Sequence, residues 1–112
     1  MTGARMKRVG MVINIRPEKI AEYRTLHADV WPDVLAAMQR HHIRNYSIYI
    51  KDHTLFGYLE YHGDDFAADM KQIGEDEATQ RWWKLTDPCQ EPWPTRAPGE
   101  WWAMMEEVFH MD

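Results

Sequence analysis

The sequence predicts an α+β fold in which four strands form one antiparallel sheet and two helical regions cover a single face of it. Three observations lead there. Apolar residues recur with period two in separate short stretches and with helical period in two longer ones. The stretches follow the order strand, helix, strand, strand, helix, strand. A chain of 112 residues has room for one such domain, residues 1–112, and one core.

Arg8 to Ile15 places Val9, Met11, Ile13 and Ile15 on one face, and Pro17 then stops the ladder, so this is the first strand. From Glu18 to about Arg40 the period becomes helical. Pro32 interrupts it, which predicts one kinked helix or two abutting ones. Asn45 to Lys51 and Thr54 to His62 alternate on either side of the polar Asp52–His53 turn and read as a hairpin. Asp64 to Leu85 carries Phe66, Met70 and Ile73 in one helical series and Trp82, Trp83 and Leu85 in another, with the break expected at Gly74. Thr86 to Gly99 holds Pro88, Pro92, Pro94 and Pro98, which predicts a fixed-shape loop running over the surface. Ala103 to Met111 then offers Met105, Val108, Phe109 and Met111 as a closing strand. With right-handed crossovers this βαββαβ order gives the ferredoxin-like arrangement. Its open sheet face would carry several apolar groups, and a second copy of the chain is the expected cover, making a homodimer.

Composition removes several functions. A net charge of −5, with no basic concentration beyond Arg5, Lys7 and Arg8, argues against nucleic acid. Cys89 is the only cysteine, so neither an internal disulfide nor a thiolate pair is possible, and a reducing cytoplasm is the expected location. No apolar run has signal-peptide or membrane-spanning length, so no membrane partner is expected. The histidines His41, His42, His53, His62 and His110 lack metal-ligand spacing, and no metal is expected. Ser47 and Cys89 have no base near them in sequence, and no glycine-rich phosphate loop exists. A proton-transfer or binding site built from His, Tyr, Trp and carboxylates remains.

The most informative feature is the spacing of Tyr23, His27 and Trp31, each four residues from the next. On one helix they would drift only about 40° per step and form an aromatic, imidazole, aromatic stripe, on a face shared with Ile20, Val34 and Met38. Histidine changes charge near neutrality and suits proton transfer beside flat aromatic surfaces. The same pattern also fits a core histidine bonded to a backbone carbonyl. Six tryptophans are many for this length. Adjacent side chains on a helix diverge by about 100°, so one member of each pair, Trp82–Trp83 and Trp101–Trp102, is expected to face a cleft, a partner or water.

The segments Glu22-Tyr23-Arg24-Thr25-Leu26-His27, Trp31-Pro32, Asn45-Tyr46-Ser47-Ile48-Tyr49, Arg81-Trp82-Trp83-Lys84 and Glu107-Val108-Phe109, in that order, resemble the L-rhamnose mutarotase family from about Arg8 to Phe109. Those enzymes are dimeric ferredoxin-like proteins of the α/β-barrel type that interconvert the α and β anomers of a deoxyhexose without a cofactor. The resemblance implies that His27 is a proton donor and that Tyr23, Tyr46, Trp82 and Trp83 bind sugar. Glu107 and Tyr46 are candidates for the second proton transfer, with Glu107 equally readable as an exposed or salt-bridged strand residue. Trp31, before Pro32, suits a packing role that supports the imidazole. The stretch Pro88 to Trp102 departs from the family pattern in its wealth of aromatics, which leaves the preferred sugar open.

Anomer exchange suits these residue types. Ring opening needs a proton at the ring oxygen while the anomeric hydroxyl loses one, and no metal, hydride or covalent intermediate is required. Pyranose C–H faces fit an indole, and hydroxyls fit a tyrosine rim. Two other readings share the fold: a small cofactor-independent monooxygenase, and a non-catalytic sugar-binding module.

Overall fold

The computed structural model describes residues 6–112, so Arg5 of the basic N-terminal group lies outside the described residues. Strand β1 is Lys7–Ile15, and its alternation puts Val9, Met11, Ile13 and Ile15 into the core. A single 3₁₀ turn at Pro17–Lys19 leads into α1, Ile20–His27. Helix α2, Pro32–Arg40, begins anew with Trp31 in extended conformation at its N-cap and proline at its first position. The residue before proline is driven out of helical geometry, which is why Trp31 does not continue the helix of Tyr23 and His27. The three-membered stripe is therefore two-membered.

Strands β2, Ile43–Lys51, and β3, Thr54–Tyr61, form the hairpin. A bulge lies between Arg44 and Ser47, with Asn45 at φ 48°. Asparagine tolerates this left-handed conformation, and its amide donates to Glu60 Oε1 at 2.6 Å. The extra residue resets the pleat, so Ile43 and Tyr46 both point inward and Ile48 and Ile50 follow in phase.

Helices α3, Phe66–Glu75, and α4, Glu77–Thr86, meet at Asp76, where the sequence places a break at Gly74. Asp76 ends one helix and caps the next, accepting from Thr79 N and Thr79 Oγ1 at 2.9 Å each. That cap outweighs the roughly 1 kcal/mol that glycine costs inside a helix, so Gly74 stays within the last turn of α3.

The proline-rich stretch is less superficial than its composition predicts. Thr86, Cys89 and Gln90 are buried, and β4, Gln90–Glu91, pairs with Asn14 and Ile15. The closing strand is shorter than expected: β5 is Ala103–Met105, paired with Gly10 to Val12. Beyond it the ladder ends where Arg8 clasps the Glu107 carboxylate, and Val108, Phe109 and Met111 are 78–90% exposed. The sheet runs β2, β3, β1, with β4 and β5 sharing the other edge of β1, all antiparallel. This is the ferredoxin-like order, with its fourth strand supplied in two pieces. The helices pack on one face, closing over Val9, Met11, Leu59 and Ile73 at one end and Ile13, Ile15, Tyr23 and Leu55 at the other. Gly57 lets this layer close: a Cβ there would lie 2.9 Å from Met11 Cε and 3.3 Å from Trp102 Cζ3. No helix among the described residues is long and apolar enough to cross a membrane.

Candidate active site

Helix α1 holds Tyr23 and His27 one turn apart with their rings stacked, centroids 4.1 Å apart and planes at 29°. His27 Nδ1 lies 2.9 Å from the Tyr23 carbonyl oxygen. A carbonyl only accepts, so the hydrogen of the neutral ring sits on Nδ1 and Nε2 is the free nitrogen. The bond to a backbone carbonyl that the sequence allows for a core histidine is present, and it leaves Nε2 uncommitted. Burial lowers the His27 pKa, with the carbonyl bond opposing.

Trp82 is the hub between α1, α2 and α4. Its indole meets His27 edge-on at 5.4 Å and Trp31 edge-on at 5.1 Å. Trp31 thereby reaches the imidazole only through Trp82, not by direct stacking. Trp82 is 5% exposed and Trp83 is 40% exposed, the division expected of an adjacent pair. Trp83 turns toward Gly74 on α3, 3.6 Å from where a Cβ would stand, and does not meet His27.

Tyr23 is 5% exposed, and its hydroxyl accepts from Gln90 Nε2 at 3.1 Å. Gln90 Oε1 in turn accepts from Trp101 Nε1 at 2.7 Å. Burial holds the Tyr23 phenol well above its ordinary pKa, and it stays protonated at neutral pH. Tyr46, turned inward by the bulge, is pushed up to about 12 by burial, and its charge couples to that of Tyr23. Nothing in the sequence pattern points to Gln90 and Trp101 as neighbours of Tyr23, because a proline-rich stretch carries no periodicity to show which side chains turn inward.

Between α1 and the hairpin lies a cavity of about 130 Å³, with Tyr23, Arg24 and His27 as its polar lining and Ile15, Ile20, Ile48, Ile50 and Leu55 as its apolar walls. Tyr46 borders a neighbouring cleft of about 230 Å³ with Met38 and Ile43. Glu107 stands apart. Its carboxylate oxygens accept from Arg8 Nε and Nη2 at 2.7 and 3.0 Å, and the guanidinium holds its pKa low. Arg8 alternates with Val9 and so projects from the open sheet face, opposite to the face that α1 covers. Among the described residues no group of three His, Cys, Asp or Glu is arranged to hold a metal ion.

Comparison with known proteins gives this geometry its place. The family model described as L-rhamnose mutarotase matches residues 8–111. The chain belongs to the L-rhamnose mutarotase family. The L-rhamnose mutarotase of Oceanobacillus iheyensis is 33% identical over 109 residues, covering 96% of this chain and 100% of that protein. Among solved structures, the L-rhamnose mutarotase of Formosa agariphila superposes with a TM-score of 0.74 at 22% identity, covering 95% of this mutarotase-family chain and 99% of that one. Tetracenomycin F2 cyclase from Streptomyces glaucescens, a type-II polyketide cyclase, reaches a TM-score of 0.71 at 13% identity, covering 95% and 97%, a likeness of fold alone.

Proposed function

We propose that this member of the family interconverts the α and β anomers of L-rhamnose or a related deoxyhexose, with His27 moving the proton. One observation carries the reading: His27 lines the cavity with Nδ1 committed to the Tyr23 carbonyl, a pKa lowered by burial and Nε2 free. In that state Nε2 is a base at neutral pH. It takes the proton of the anomeric hydroxyl as the bond from the anomeric carbon to the ring oxygen breaks, and the imidazolium so formed gives that proton to the ring oxygen, on the same carbon, as the open-chain aldehyde forms. Rotation about the bond next to the aldehyde and reclosure on its other face give the second anomer, with no net consumption of protons. Tyr23 stays protonated and binds a sugar oxygen from the cavity wall, Tyr46, also protonated, is proposed to do so from the neighbouring cleft, and Trp82 fixes the imidazole from behind.

The cavity size favours a single small ring. At about 130 Å³ it lies well below the roughly 300–1,000 Å³ of sites for drug-sized ligands, which speaks against a polycyclic oxygenase substrate. Trp83, exposed beside α3, is proposed to reach sugar only at the rim. Glu107, tied to Arg8 on the other sheet face, supports the C-terminal segment and is not assigned the second proton transfer. We assign the chain to the cytoplasm on its single cysteine and to a homodimer on its open sheet face. The reaction as written uses no cofactor.

The test is anomer exchange measured by NMR saturation transfer across L-rhamnose, L-fucose and common aldoses. The wild type should accelerate exchange of a deoxyhexose, and His27→Asn should lose about 10²–10⁴-fold. Wild-type rates in the variant would remove His27 from the role.

A further inference from the structure

The hydrogen bonds behind Tyr23 have only one possible direction. An indole N–H is a donor without acceptor capacity, so Trp101 Nε1, 2.7 Å from Gln90 Oε1, requires the carboxamide oxygen on its side. The amide nitrogen then faces Tyr23, 3.1 Å from the phenol oxygen, and can only donate. A glutamine amide is ordinarily free to turn over by half a rotation. Here the indole removes that freedom. Gln90 is 4% exposed, so bulk water does not compete for either end.

We propose that Gln90 is a positioning residue that fixes the Tyr23 hydroxyl as a hydrogen-bond donor to the sugar, with Trp101 setting the sense of the Gln90 amide. The inference rests on the mutarotase reading above. With its oxygen already accepting from Gln90, the phenol has its hydrogen left to give. No other partner of that hydroxyl is present among the described residues, and Tyr23 lines the cavity, so the hydrogen is offered there. The sugar atom opposite must be an acceptor, either a hydroxyl oxygen used as such or an oxygen of the ring. Each bond in the line from indole to amide to phenol polarises the next, by roughly 10–30% per bond, which strengthens the final donor. The line is also anchored outside α1. Gln90 sits on β4 opposite Ile15 of β1, so the phenol is referenced to the sheet as well as to the helix that carries His27.

Gln90→Glu is the discriminating change, because it alters one atom and keeps the acceptor that Trp101 needs. Assayed at a pH high enough to ionise a buried carboxyl, this side chain cannot donate, so the Tyr23 hydrogen turns toward it and away from the sugar. The expected result is a fall in kcat/KM for anomer exchange on the order of 10- to 100-fold. Gln90→Met, which removes the donor without reversing the bond, should lose less. In a Tyr23→Phe background the Gln90→Glu step should have no further effect, as a double-mutant cycle will read. Full activity in Gln90→Glu, or an equal loss with and without the Tyr23 hydroxyl, would overturn the proposal. A second readout does not depend on catalysis. In ultraviolet resonance Raman difference spectra against Tyr23→Phe, the Fermi-doublet intensity ratio of Tyr23 should drop from wild type to Gln90→Glu as the phenol changes from acceptor to donor; an unchanged ratio also overturns it. A wild type that accelerates exchange of no aldose counts against the mutarotase reading, and the Raman comparison still decides the sense of the Gln90 bond.

Discussion

At the residue scale, the Tyr23 carbonyl fixes the imidazole tautomer and burial fixes its charge state. Both act in the direction a base requires. The sign of the pH dependence follows. Burial puts the folded-state pKa of His27 below the ordinary 6.5, so as pH falls from 6.5 toward the lowered value the unfolded chain binds more proton than the folded one. His27 then subtracts stability within that window and is neutral in its effect above it. The acid limb of kcat/KM, on the proposed mechanism, should lie below pH 6.5, and a limb at or above the free imidazole value would contradict the burial argument. The spacing of Tyr23 and His27 makes this pair legible in the sequence, because two residues four apart on a helix have one way to meet. Tyr46 enters through the family resemblance alone, and the bulge at Asn45 that turns it inward has no signal in the sequence pattern. Gln90 left no trace in the sequence pattern: its role depends on a donor eleven residues on, and nothing local reports that.

At the scale of elements, prolines and period gave most boundaries. Pro17 ends β1 and Pro32 separates α1 from α2, as their missing N–H groups dictate. Between the later helices the side chain of Asp76 decides the boundary, by a bond that Gly74 has no means to make. Asp76→Ala should therefore lower stability by about 1 kcal/mol, read as a shift of the urea midpoint with the slope unchanged. A loss under a few tenths would mean that the junction is held by packing of Trp82 and Ala78 and not by the cap. The closing strand was over-read for a physical reason too. Val108, Phe109 and Met111 are apolar enough to suggest a strand, but among the described residues of one chain they meet no surface to pack on.

At the scale of the whole molecule, a chain of this length is expected to have a radius of gyration near 13 Å, and this one has 14.4 Å, with a longest dimension of 49 Å. Extended and exposed, the C-terminal segment fits that excess. Tyr49 and Phe56 on the open sheet face are 67% and 40% exposed, and Met105 beside Gly10 is 43% exposed. On the proposed homodimer this face and the C-terminal segment are covered together. Sedimentation should give twice the chain mass, and Phe56→Asp should shift it toward the monomer; a monomeric wild type would end that proposal. The strand and helix order was legible at this scale because each element carries its own period, whereas the split of the last strand into β4 and β5 depends on pairing partners far away in sequence. That split has a practical consequence. The Gln90 to Trp101 hydrogen bond joins the two ends of the segment between the half-strands, so the intervening turn at residues 94–99, exposed throughout, is closed off from the fold like an Ω-loop. Peptide tags or fluorophores grafted there would leave the pocket undisturbed.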